Sequence, residues 1–349
     1  MKKMLNYGLI SVFFAAVFVF AGCDDSSGSG PGGNETPSKI ITFGSWPQTI
    51  KADKVKITDE KKDVGMFTYF KGSDGEWYVK TEERGYEAGY TYSNGTPVLQ
   101  DGVDFKYFKV EPIKWRVLTE NYNGKKLLLA ENILINIPFF YDWVSGREED
   151  GKEIFANNYK YSQVRAFLNG LSYQAGASYD NQINSEYYNK GFLQTAFTEK
   201  EQAQIAVTIV DNSKRSTESD DNINYPESWD VSEYVCDNTK DKVFLLSEQE
   251  VTTEAYGFDP DPDASVIDGV HKKSSRIRMT TDFAKACGAF QNPEKGMGGC
   301  WWLRTPTYAY AAILIMDFLA RNISNAGAAN SSFYTYDSAS GVVPALCLE

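Results

Sequence analysis

Past residue 39 the apolar residues come in short runs that Gly, Asn, Asp, Ser and Pro interrupt every few positions, with no long helical heptad and no repeat at solenoid spacing. Such a chain cannot build a coiled coil or a solenoid. It is predicted to form an α+β fold of short strands, many turns and only a few short helices.

The strand signals are specific. Ile40-Ile41-Thr42-Phe43-Gly44-Ser45-Trp46-Pro47 reads as a strand followed by a turn. Residues 67–92 intersperse aromatics with Gly and charge, as hairpins do. Tyr107–Leu118 is a strand; Asn121-Tyr122-Asn123-Gly124 turns it, and Lys126–Glu131 returns, because Asn-Gly tolerates the positive φ of a tight hairpin turn. Helix signals are fewer. Ser162 caps 163–169, which Gly170 ends; Thr198-x-x-Glu201 and Ser247-x-x-Glu250 are capping boxes; Thr281 or Asp282 opens a helix ended by Gly288. Residues 212–238 are a polar, turn-rich insertion. Near the end, Cys300-Trp301-Trp302-Leu303-Arg304-Thr305-Pro306 and Gly341–Leu348 read as strands around a segment rich in Ala, Ser, Tyr and Asn.

Charge narrows the partners. The chain carries −12, and removal of a leader containing Lys2 and Lys3 would bring it to −14. A surface this acidic does not track phosphates, so no nucleic-acid partner is expected. No cofactor is expected either.

The first 39 residues carry a different kind of signal. Met1-Lys2-Lys3 is basic, and Leu9–Phe20 is apolar but too short for a bilayer core of about 30 Å. Phe20-Ala21-Gly22-Cys23 resembles the bacterial lipobox, although Leu usually stands where Phe20 is. The resemblance implies a signal peptide over 1–22 and lipidation of Cys23. It further implies a flexible tether over 23–39, anchored to a membrane through an N-terminal lipid, with cell-surface display on the outer membrane. The domain then spans 40–349. Four more cysteines, Cys236, Cys287, Cys300 and Cys347, permit two disulfides in three pairings, with free buried thiols as the alternative. Cys300 and Cys347 flank the 307–340 segment, and a bridge at its base, with Cys236–Cys287 as companion, is the expected pairing.

Several of these landmarks recur in order in one family. Phe43-Gly44, Ile113–Leu118, Ser162–Arg165 with Phe167–Gly170, Val243–Ser247, Trp301–Pro306 and Gly341–Leu346 resemble a family of bacterial envelope proteins. Members have a C-type-lectin-like fold related to the formylglycine-generating enzyme, and with the lipobox the chain resembles the treponemal variable proteins, surface lipoproteins diversified by a retroelement. The resemblance implies small twisted antiparallel sheets with a few short helices and large loop insertions. It covers roughly residues 40–349. Two positions depart from it: Val343 stands where the family usually has Arg, and Cys347 where it usually has Trp.

Retroelement diversification, as the resemblance implies it, mutates adenines of AAC codons, whose products never encode Lys, Glu, Gln or Trp. The 35 residues from Thr307 to Gly341 contain none of these four, whereas the other 314 residues contain 66. A Gly/Ala/Ser-rich strand and loop simply poor in long charged side chains is the bland explanation. A ligand-binding surface would use Thr307, Tyr308, Tyr310, Asp317, Phe318, Arg321, Asn322, Asn325, Asn330, Ser332, Tyr334, Tyr336, Asp337 and Ser338. Tyr offers rigid contact area at low entropy cost, Ser and Asn offer adaptable hydrogen bonds, and Arg321 would serve as an anchor. Ala311–Met316 is apolar enough for a buried strand, and Trp301, Trp302 and Arg304 are expected in the core. The ligand class read from this is a protein or a glycan.

Two other readings compete. An invariant envelope module could bind glycan or protein without diversification. An enzyme of the formylglycine-generating type would need reactive cysteines, with Cys287 and Cys300 as the pair to consider. His271 is the one histidine, so no Ser-His-Asp, Cys-His or multi-histidine metal set can be assembled, and no catalytic residue is assigned. Asp259-Pro260-Asp261-Pro262-Asp263 lacks the glycine of an EF-hand loop and reads as a solvated acidic loop; no metal site is assigned.

Overall fold

A computed structural model describes residues 39–349 apart from 88, 101, 143–145, 214–234, 269, 271–273, 312–313 and 338, and leaves the side chains of 308–318 undescribed. Cys23, His271, Ser338, the leader and most of the polar insertion therefore lie outside the described residues. Residues 38–349 form one compact unit.

The fold is mixed α+β, made mostly of strands in small antiparallel sheets with a few short helices. Its backbone is the long strand β5 (Phe105–Tyr122), with β1 (Ile40–Ile50), β2 (Ile57–Val64), β3 (Phe67–Gly72), β4 (Trp77–Glu82) and β6 (Lys125–Ala130) around it. β1 pairs with β5 residues 108–116 along one edge. The opposite edge serves β4 at one end, through 105–109, and β6 at the other, through 115–122. The C-terminal strand Ala345–Leu348 adds to β6, and Val243–Phe244 adds to that strand, completing an eight-stranded sheet.

Local chemistry explains these elements. Asn123 (φ 52°) and Gly124 (φ 82°) form the two-residue turn between β5 and β6 that Asn-Gly predicts. The turn expected with the Ile40–Pro47 run is absent, since the strand continues to Ile50, and the run instead contains a bulge at Gly44. β1 runs straight through Pro47, and its register slips between Thr42 and Ser45. Gly44 has φ 67°, and a Cβ there would lie 2.5 Å from the Phe197 ring, so only glycine fits. All four expected helix starts are present. Ser162 Oγ accepts from the Arg165 amide at the start of α1 (Gln163–Asn169), and Gly170 ends it at φ 69°. Thr198 and Ser247 form complete capping boxes with Glu201 and Glu250, and Thr281 caps Asp282–Ala286.

A second sheet has five strands in the order 331–334, 314–323, 301–311, 341–342, 135–136. The chain then crosses from this sheet into the eight-stranded one within Val343-Pro344. The core is rich in aromatic residues. Trp46, Trp115, Trp301 and Trp302 are fully buried, and each indole N–H is satisfied by a backbone carbonyl: Leu134 (3.0 Å), Phe43 (2.7 Å), Arg276 (3.1 Å) and Ile137 (3.1 Å) respectively. No helix among the described residues is long and apolar enough to cross a membrane.

The cysteines correct one expectation. Cys236, Cys287, Cys300 and Cys347 are all free thiols, so neither the Cys300–Cys347 nor the Cys236–Cys287 bridge is present. The topology gives the reason for the first pair: Cys347 sits in the eight-stranded sheet between β6 and Val243–Phe244, while Cys300 leads into the five-stranded sheet. Burial raises all four thiols, to about 11 for Cys236 and Cys347 and about 12 for Cys287 and Cys300.

A thiol whose folded pKa lies above its unfolded value protects the fold only below the unfolded value, near 9. Stability should therefore fall as pH rises from about 9 towards 11–12, because the unfolded chain ionises first. Denaturant titrations across that range check this. In the same protein at neutral pH, thiol-reactive dyes should label the four cysteines only after unfolding.

Candidate functional site

The 307–340 segment begins inside a hairpin whose base is locked. Strand Trp301–Ala311 pairs antiparallel with Leu314–Ile323, from Trp301 opposite Ile323 to Ala311 opposite Leu314. The apolar run 311–316, expected as one buried strand, is instead divided between two: Ala311 ends one strand, Leu314 opens the next, and the two residues pair with each other. The register shifts between Trp302 and Pro306 and again before Ala309. A proline has no amide hydrogen to contribute, which suits it to such an irregularity. The fully buried Asn157 spans the second shift, its Nδ2 donating to the carbonyls of Thr307 and Leu319 at 3.0 Å each.

Beneath the hairpin lies the short helix Glu248–Val251. Glu250 Oε2 accepts from Arg304 Nη1 at 2.5 Å and from the Ser247 amide at 2.8 Å, while its Oε1 accepts from the Tyr122 hydroxyl at 2.7 Å. Burial opposes the Arg304 charge, but the Glu250 carboxylate outweighs it and raises the guanidinium above its ordinary value. Tyr122 is raised by burial and then by Glu250. Glu248, also buried, pairs with Arg321 Nε at 3.3 Å, and its amide donates to Thr305 Oγ1 at 2.9 Å.

A third arginine holds the segment near its middle. Arg276 is completely buried, and its guanidinium donates to the carbonyls of Gly327, Val251, Asp259, Asp261 and Ala264 at 2.7–3.3 Å. It ties the Asp259–Asp263 loop to the turn at Gly327. The carbonyls of Asp259 and Asp261 thus face the guanidinium, and their carboxylates cap the amides of Asp261 and Asp263.

The structure divides the expected contact residues. Thr307, Arg321 and Asn322 are buried, which corrects their assignment as exposed contacts. Arg321 is held by Glu248, the Asn330 carbonyl and Ser332 Oγ, and Asn322 donates to Ser340 Oγ at 2.9 Å. A guanidinium already paired with a buried carboxylate has no charge to spare for a ligand. Asn325 is half-buried. Tyr308, Tyr310, Asp317 and Phe318 lie in the strands, their side chains outside the described set, as Ser338 is altogether. The remaining residues gather at one place. Asn330 is exposed and bonds Asp263 through its amide; Ser332 and Tyr334 are half-buried on the edge strand Ser331–Tyr334; Tyr336 is 41% exposed; Asp337 follows it. The Tyr334 and Tyr336 rings stack 5.3 Å apart at 10°. The sequence reading missed Asn157, Glu248 and Arg276, which hold this region from outside it.

A separate cleft of about 350 Å³, lined by none of the 307–340 residues, lies among Lys160, Tyr161, Arg165, Leu171, Tyr173 and Ile183. Its cations are already paired: Lys160 with Glu149 and Asp237, Arg165 with Asp241. Among the described residues no group of three or more His, Cys, Asp or Glu could hold a metal ion.

Residues 123–349 match the model of a family described as a domain of unknown function (DUF6273), and the chain belongs to that family. The match begins at the Asn123-Gly124 turn, so β1 to β5 precede it although they pair into the same sheet. No curated protein and no solved structure matches the chain.

The buried carboxylates define a test. Glu250→Ala would strip Arg304 of its counter-charge and the helix of its capping box, and should destabilise the domain by about 3–5 kcal/mol. Asp337→Asn, which keeps the side-chain oxygen that accepts from the Ala339 amide, should change stability by no more than about 0.5 kcal/mol. Equilibrium denaturation of the two variants gives both numbers.

Proposed function

We propose that the protein is an exported, lipid-anchored envelope protein whose domain binds a ligand through the 307–340 segment, and that this segment is diversified by a retroelement on a C-type-lectin-like scaffold. The observation that carries this reading is a boundary. The 35 residues from Thr307 to Gly341 contain no Lys, Glu, Gln or Trp, and on both sides they run directly into fully buried chain: Trp301-Trp302-Leu303 before, Val343 to Cys347 after. A segment can change its side chains without unfolding its domain only if neighbouring groups fix its backbone. Here Asn157 and Arg276 do so through the carbonyls of Thr307, Leu319 and Gly327, while Glu248 holds the Arg321 side chain and Arg304 the strand that leads into the segment.

The contact face is then narrower than the segment. It centres on 330–337, where Asn330, Ser332, Tyr334, Tyr336 and Asp337 reach or approach the surface. Two stacked tyrosines with short polar neighbours are the kind of surface that binders use, since rigid rings lose little entropy on contact.

Two results should follow. Simultaneous replacement of Ser332, Tyr336 and Asp337 should leave the melting temperature nearly unchanged, whereas Trp302→Ala should cost about 3–5 kcal/mol through the cavity it opens. Thermal melts that show the first set unfolding the domain as badly as the second would place those side chains in the core and end the reading. At the other end of the chain, Cys23→Ser should abolish partition into detergent phase; a Ser variant that still partitions fully would remove the lipid anchor. For diversification itself, the gene should have a nearby template repeat that differs at adenines and a reverse-transcriptase gene.

A further inference from the structure

We infer that Arg278, beside Arg116, forms an internal site for one monovalent oxyanion of the carboxylate class, such as formate or bicarbonate. The inference goes beyond the binding reading above and does not depend on it.

Arg278 is 2% exposed, and its guanidinium is used on one edge only. Nη1 donates to the carbonyls of Ser275 and Ile277 at 2.9 Å each. Nε and Nη2 are buried and have no hydrogen-bond partner, and no carboxylate among the described residues pairs with the group. These two N–H groups lie on one edge of the planar guanidinium and point the same way, at the spacing of the two oxygens of a carboxylate. Elsewhere the chain fills that edge with a carboxylate. Arg116 Nε and Nη2 donate to Glu131 Oε1 and Oε2 at 2.7 and 3.2 Å, and Arg165 uses the same two nitrogens on Asp241. The backbone that carries Arg278 is fixed beside Glu131. Its carbonyl accepts from the Gly299 amide at 2.9 Å, and Met279–Thr280 pairs in parallel with Asn132–Ile133, which follows Glu131 directly.

The charge count agrees with the geometry. Two guanidiniums, Arg116 and Arg278, share the single carboxylate of Glu131, and Arg116 takes both of its oxygens. Burial and then Arg116 lower the Arg278 guanidinium to about 10, with Glu131 opposing, so it is still a cation at neutral pH. One positive charge is therefore left over in buried surroundings, where a charge without a counter-charge is strongly destabilising. One monovalent anion balances it, and a planar O–C–O group matches the edge. The two nitrogens lie too deep for a side chain of another protein. The Arg116–Glu131 pair, 26% and 23% exposed, is the nearest of these charges to solvent and gives a small ion its way in. Arg276, two residues before Arg278, ties down the turn at Gly327, so a bound anion would stiffen the segment that positions 307–340.

The test melts the full chain at neutral pH in sodium chloride, sodium formate or sodium sulfate at one ionic strength, with formate as the probe. Formate should raise the melting temperature saturably, to about 2–4 °C above chloride. Arg278→Met should abolish the difference, and so should Arg278→Lys, which keeps the charge but not the fork. Arg84→Met, at an exposed arginine paired with Glu82, should retain it and so exclude a general charge effect. In the wild-type chain with nitrogen-15-labelled arginine, formate should shift one slowly exchanging Nε–H signal, a readout that needs no variant to fold. Equal melting in chloride and formate, no Nε shift, or a formate effect that persists in Arg278→Met would each overturn the inference. A larger rise in sulfate than in formate would overturn the monovalent carboxylate class. Arg278→Met melting above the wild type in every salt would make the arginine an uncompensated charge with no ligand, and would overturn the inference as well.

Discussion

Glu250 accepts hydrogen bonds from three parts of the chain that are far apart in sequence. The Tyr122 hydroxyl comes from the end of β5 in the eight-stranded sheet, Arg304 from the five-stranded sheet, and the Ser247 amide from the helix cap between them. A buried carboxylate is costly unless its oxygens are satisfied, so each donor is held in place by the penalty for leaving the others alone. The neighbouring Glu248 repeats the arrangement with Arg321 and Thr305. Two carboxylates on a four-residue helix therefore set where the two sheets meet, and with that the position of the hairpin that begins the 307–340 segment.

The same economy governs the rest of the scaffold. Arg276 satisfies its guanidinium with backbone carbonyls alone and so binds a loop and a turn together without relying on any side chain within the segment. Asn157 does likewise with the carbonyls of Thr307 and Leu319. Bonds to backbone carbonyls are indifferent to side-chain identity. A segment anchored through its main chain keeps its course when its side chains change, which is the property a variable contact surface requires. Arg321 is the exception: its side chain is itself part of the anchorage, and substitution there would leave Glu248 buried without that partner.

Buried thiols follow from the same packing. Cys347 lies in the core, Cys236 and Cys287 pack against it and Cys300 is buried beside Trp301, and burial favours the neutral form of each. That removes the nucleophilic character a cysteine-based chemistry would need at neutral pH. The two sheets are joined by continuous chain through Val343-Pro344 and by ion pairs, with no covalent bridge between them.

Local signals were legible wherever a structure closes on nearby residues. The Asn123-Gly124 hairpin, the caps at Ser162, Thr198, Ser247 and Thr281, and the stop at Gly170 depend on side chains within four positions of the backbone they satisfy, and each stands where the residues placed it. The strand character of 301–306, 341–342 and 345–348 and the burial of Trp301 and Trp302 followed from apolar patterning. Nothing local to Ile40–Pro47 announced the bulge at Gly44, because the ring that demands glycine there, Phe197, is more than a hundred residues away. Arg321 was misread for a similar reason: an arginine among Tyr and Asn looks like a surface anchor until a buried carboxylate from residue 248 is brought beside it. The cysteines had the right number for two bridges, but pairing depends on which sheet each strand joins. By itself the sequence determined the element types, their caps and the chemical composition of the 307–340 segment. Only the tertiary structure decided which of that segment's residues face outward, because burial and ion pairing arise between residues that no spacing rule connects.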